Sequence, residues 1–182
     1  MFKKLKLKIQ HYILSRNLLR LKRMSKLVTL SEANKIGVLF DAKTAHSVIQ
    51  IKSFLKYLLK KNIDIDILGF VDGVKKDSMY LSTIHINYFK SDDLNILGIP
   101  NSLKTHRFMQ NQYDIIINLS LNNSFSTKYL TLMSNSKYRI GVYGNNYKFN
   151  YDLMFKLKVQ SLDYFIEQLK YYLEIIDKNN EK

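Results

Sequence analysis

Tyr113–Tyr143 reads YDIIINLSLNNSFSTKYLTLMSNSKYRIGVY, and its hydrophobic rhythm changes twice. Tyr113–Leu119 is a near-continuous apolar run rich in β-branched side chains, as in a strand covered on both faces. Ser124 or Ser126 is placed to cap a helix that runs to about Asn135. Tyr138–Tyr143 is again strand-like and is closed by Gly144-Asn145-Asn146. A strand, a short helix and a strand joined so closely make a right-handed crossover between parallel strands.

The same alternation extends in both directions. Ile36–Ala42 (IGVLFDA) predicts a buried strand, and Thr44 caps a helix whose stripe is Val48, Ile51, Leu55, Leu58 and Leu59. Asn62 is a reasonable stop for that helix. Asp64–Val71 predicts the next strand, ending at the turn Asp72-Gly73. Ile84–Phe89 reads as a strand, Leu103–Gln110 as a short helix after Pro100, and Tyr151–Leu157 as a last strand. Ser161 then caps an amphipathic helix from Leu162 to about Asp177. Residues 74–83 and 145–150 are the expected loops. The fold class is therefore α/β: a three-layer Rossmann-like or flavodoxin-like domain, with a mainly parallel sheet and helices on both faces. It spans residues 35–182 and follows a basic helical arm at residues 1–34.

The arm holds most of the charge. Nine basic residues and no acidic one occur in the first 26 positions: Lys3, Lys4, Lys6, Lys8, Arg16, Arg20, Lys22, Arg23 and Lys26. Through Lys35 there are ten basic residues against Glu32 alone, so +9 of the total +14 lies there and +5 (14 − 9) in the rest. Abundant Lys, Asn, Ile and Tyr are the bias of AT-rich coding, whose lysines account for part of the pI of about 9.7. Codon drift does not gather three of five arginines into eight residues, nor clear one end of acids. With no Gly or Pro, Phe2 to about Leu30 predicts one helix. Leu14, Leu18, Leu21 and Val28 form one stripe; Leu5, Ile9, Tyr12 and Ile13 form an earlier one. Arg16, Arg20 and Arg23 share a face, where they repel unless a polyanion neutralises them.

Catalytic motifs are missing. The chain has no cysteine, which excludes disulfides, thiolate metal sites and a Cys nucleophile. GxGxxG, Walker A and GxSxG sequences do not occur. His11, His46, His85 and His106 stand singly, so no metal site and no cofactor are expected. Asp41 and Asp72 would pair above the sheet under one strand order. In open parallel sheets ligands bind beyond the carboxyl ends of strands. That rule marks Asp41, Lys43, Thr44, Asn122 and Asn123 as a possible ligand loop, with Lys43 beside a helix start. No apolar run approaches membrane-spanning length and no signal-peptide pattern appears, so a cytoplasmic location is expected, free or peripheral to the inner membrane.

Tyr113–Gly144 resembles the N-terminal half of heptosyltransferase-type GT-B glycosyltransferases, where a "YDlviDl" strand, a short helix and an "aryRIG" strand follow in that order. The likeness covers about 32 of 182 residues and implies a Rossmann-like half-fold. Asn118 stands where that pattern has an acid, and a second, nucleotide-sugar-binding domain has no room in residues 35–182. With its basic helix, IGVLFD and YDIIINL strands and RIG segment, the chain is also similar to a family of uncharacterised proteins known mainly from Bacteroidota. That resemblance implies a bacterial, cytoplasmic α/β protein without enzyme motifs.

The favoured expectation is a non-catalytic, ribosome-associated binding protein whose basic helix docks on structured RNA by neutralising phosphates. One alternative is peripheral attachment to anionic lipid through the alternating Lys and apolar residues of Phe2–Ile13. The other is a small glycosyltransferase-like or nucleotide-binding enzyme working at the strand ends.

Overall fold

Apolar runs and capped amphipathic stripes become strands and helices close to where local chemistry places them. The computed structural model describes residues 2–21, 23–73, 80–121, 124–144 and 151–180. Within these, α1 (Phe2–Arg20) precedes β1 (Lys35–Asp41), α2 (Ala45–Leu59), β2 (Asp64–Val71) and β3 (Ile86–Lys90). Then follow α3 (Leu103–Gln110), β4 (Gln112–Asn118), α4 (Phe125–Met133), β5 (Asn135–Val142), β6 (Leu153–Phe155) and α5 (Leu162–Asn180). Thr44 caps α2 through a reciprocal pair with Ser47, and Ser161 Oγ accepts from the Tyr164 N–H at the start of α5. Asn62 ends the α2 turn at φ 58°, in the left-handed region that Asn tolerates.

All six strands are parallel, in the order β3-β2-β1-β4-β5-β6. The chain starts at the sheet centre, builds outward to β3, returns across to β4 and builds outward again. This is the doubly wound Rossmann order, with its switch point between β1 and β4. The strands are buried on both faces because helices cover both. Ile36, Val38 and Phe40 of β1 face α2 and α5, packing with Ile51, Phe54, Phe165 and Leu169. Leu39 faces the opposite way, with Leu68, Ile116, Phe108 of α3 and Leu130 of α4. Gly69 of β2 leaves room for rings: a Cβ there would sit 2.7 Å from Phe40 and 2.9 Å from Tyr88.

The N-terminal segment departs from expectation. The single helix expected over Phe2–Leu30 stops at Arg20, and residues 21 and 23–34 run on without helix. The helix also does not reach away from the body. Leu14, 3 % exposed, packs on Tyr129 and Leu132, with Leu18 beside it. Gln10 donates to the Leu97 carbonyl and Asn17 donates to the Tyr129 hydroxyl. α1 thus lies as an extra layer over α4, and α4, flanked by sheet and helix, is buried almost all round.

Beyond α1 the chain passes the amino ends of the strands. The Lys26 N–H donates to the Lys137 carbonyl (3.1 Å), then Val28, Leu30 and Ala33 join the core on the α2/α5 face. The Ser31 N–H donates to Asp177 of α5, and Asn34 and Lys35 N–H donate to Asp114 of β4. Residues 23–34 form a strap from one face of the sheet to the other. This tertiary pairing overrides a helix propensity worth only tenths of a kcal/mol per residue.

Candidate polyanion-docking surface

α1 is held by one side, which fixes what the other side shows. At about 100° per residue, Gln10, Leu14, Asn17 and Leu18 occupy the face toward α4. Lys4, Lys6, Lys8, Arg16 and Arg20 are exposed, and none forms an ion pair among the described residues. Lys3 lies within α1, Lys26 is exposed just beyond it, and Lys22 falls outside the described residues. Interleaved with these cations, Leu5, Ile9, Tyr12 and Leu19 also face outward. The two stripes read from the sequence therefore separate: Leu14 and Leu18 belong to the body, while Leu5, Ile9 and Tyr12 belong to the surface.

Arg23 does not share the outward face expected of it with Arg16 and Arg20, because the helix has ended. Its guanidinium donates to both oxygens of Asp152 and to the Ser136 and Lys137 carbonyls. Ser25 Oγ and the Arg139 N–H donate to the same carboxylate, whose side chain is 17 % exposed. Burial pushes the Asp152 carboxyl up, but the donors from Arg23, Ser25 and Arg139 outweigh it and hold it below its ordinary value. Beneath lies Arg139, whose guanidinium donates to the Leu132 and Ser134 carbonyls at the end of α4. Burial lowers its pKa to about 10, with Arg23 adding to the effect. Arg23 is thus a structural clasp. Nothing local in the sequence signals it, since Asp152 lies 129 residues away.

The strand-end loop is a separate place. Asp41 and Lys43 line a cavity of about 120 Å³ at the switch point with Ser47, Leu119, Leu121 and Leu162. Thr44 spends its hydroxyl on the Ser47 N–H, so part of the α2 amino end is already satisfied. Ser120 Oγ donates to Asp41 Oδ1 at 3.0 Å, a contact that sequence reading missed. Asp41 is in register with Phe70, two residues short of Asp72, and its Oδ1 is engaged from the β4 side. Asn122 and Asn123 fall outside the described residues. Larger cavities lie elsewhere: about 450 Å³ between β6 and α5, and about 300 Å³ beside Arg23 and Arg139. Among the described residues no group of three His, Asp or Glu is placed to hold a metal ion. His46 instead approaches Asp163 on the exposed surface at 3.2 Å.

The fold and this surface define a parallel doubly wound α/β domain carrying a docked cationic helix. The chain belongs to a family of unknown function, DUF6913, whose model matches residues 6–176. That match covers α1 from Lys6 onward and the whole sheet. Comparison with curated proteins and with solved structures finds no match. No helix of the described residues is long and apolar enough to cross a membrane.

Proposed function

We propose that this protein is a non-catalytic docking module that holds a polyanionic surface against the outer side of α1. One observation carries the reading: five cations, Lys4, Lys6, Lys8, Arg16 and Arg20, stand exposed and without ion pairs among the described residues, on a helix seated by Leu14 and Leu18. A seated helix presents its charges at fixed spacing and loses little further entropy on binding. Charge alone suits structured RNA such as the ribosome, in a bacterial cytoplasm, where phosphate contacts position a protein without reading sequence.

Heparin and a labelled RNA hairpin test the polyanion reading with the full chain. If all five cations neutralise phosphates, log K falls by about 3.5 to 4.5 for each tenfold rise in salt. Replacing Lys4, Lys8, Arg16 and Arg20 by Gln removes most of that slope. Binding that is flat in salt, or unaltered by the four substitutions, overturns the reading. The enzyme alternative keeps only the small cavity beside Asp41. A thermal shift with a nucleotide or nucleotide-sugar, lost in Ser120→Ala, would revive it.

A further inference from the structure

We infer that the polyanion is an anionic lipid bilayer and that α1 lies in its interface. This rests on the docking role proposed above and names the partner of the same surface. Leu5, Ile9, Tyr12 and Leu19 follow spacings of four, three and seven residues, with Arg16 completing the row. On a helix of 3.6 residues per turn these positions form one line along the axis. They are 55 %, 37 %, 66 % and 89 % exposed, and they lie opposite the side that Leu14 and Asn17 press on α4. Lys4 and Lys8 flank the line on one side, Lys6 and Arg20 on the other. The first acidic residue of the chain is Glu32, beyond the helix.

An apolar row edged by cations, along a helix about 28 Å long, gives the outward half of α1 the make-up of an interfacial surface. The helix as a whole is only weakly amphipathic, because Leu14 and Leu18 form a second apolar stripe against α4. Phosphates attract the lysines and arginines, the aliphatic side chains enter the acyl boundary, and Tyr12 sits at headgroup level. Met24 and Leu27, 89 % and 50 % exposed on either side of Lys26, continue the same chemistry past the helix. RNA answers only half of this surface, because a phosphate backbone gives nothing to Leu5 or Leu19. A second copy of the chain answers only the apolar half, because apposed α1 helices would also set like charges against each other.

The test is co-sedimentation of the full chain with vesicles of phosphatidylcholine alone and of phosphatidylcholine mixed with phosphatidylglycerol, beside heparin and the RNA hairpin. The chain is expected on the mixed vesicles and not on the neutral ones. Leu5→Ser, Tyr12→Ser and Leu19→Ser together should weaken vesicle binding by about tenfold or more, while heparin binding stays unchanged. Lys4→Gln with Lys8→Gln should weaken the vesicle partition by roughly 30-fold and lower heparin binding as well. All five positions are exposed, and an unaltered thermal melt confirms that each variant is folded. Heparin or RNA binding without vesicle binding overturns the lipid inference and leaves polyanion docking in place. The same holds if the triple Ser variant binds vesicles as well as the parent does. Failure to bind any of the three probes overturns both.

Discussion

Asp152, just before β6, gathers several strap contacts into one carboxylate. It accepts from Arg23 and Ser25 of the strap and from the Arg139 N–H of β5, beside the amino end of β6. Asp152→Asn keeps the shape but weakens the charge-assisted bonds, and it should cost about 1–3 kcal/mol at neutral pH. The check is a lower urea midpoint at unchanged m. A carboxyl whose folded pKa lies below its unfolded value of 3.8 stabilises above that value and loses the contribution as pH falls through the folded pKa. Asp114 shifts the same way: burial raises it, and Lys137 with the Asn34 and Lys35 amides outweighs that effect. The parent should therefore lose stability below about pH 4, and the difference from Asp152→Asn should shrink over the same range.

Among the elements, α1 is the one whose behaviour packing decides more than propensity. Leu14 is its buried anchor against Tyr129 and Leu132. Leu14→Ala should cost about 2–4 kcal/mol. Amide hydrogen exchange should accelerate most in α1 and least in β1 and β4, where neighbouring strands hold both edges. Local signals explain why most other elements were legible in the sequence. Thr44 and Ser161 announce α2 and α5, and β2 and α3 fall on the expected residues. The end of α1 was not legible, because no Gly or Pro marks it and its stop is the pairing of Lys26 with Lys137 and of Arg23 with Asp152. The cations of the candidate surface were plain from composition, and so were both apolar stripes. Which stripe faces out was not, because that depends on α4 claiming Leu14 and Leu18. Similarly β5 begins at Asn135 rather than Tyr138, since pairing with Gln112 and Tyr113 extends it past its own apolar run.

For the whole molecule, burial of ionisable groups sets the response to alkali. Lys128 on α4 is almost fully enclosed, and burial pushes its ammonium down from 10.5 to about 7. Between those values the unfolded chain holds a proton that the native chain lacks, so stability should rise with pH from about 7 toward 10. Burial, with Asp66 adding to it, pushes the Tyr113 phenol far above its ordinary 10. A group raised on folding stabilises below its unfolded pKa, so stability should fall again above about pH 10. Lys128→Met should abolish the rise and keep the fall, as read from urea midpoints across that range.

The strap also carries a temporal consequence. Arg23, Ser25 and Ser31 are translated long before Asp152 and Asp177, the carboxylates that receive them. Until residues 152 and 177 have emerged, residues 23–34 lack the carboxylates that fasten them, while α1 already has its seat on α4. Synthesis of β6 and α5 is the event that fastens the strap across the amino ends of the strands.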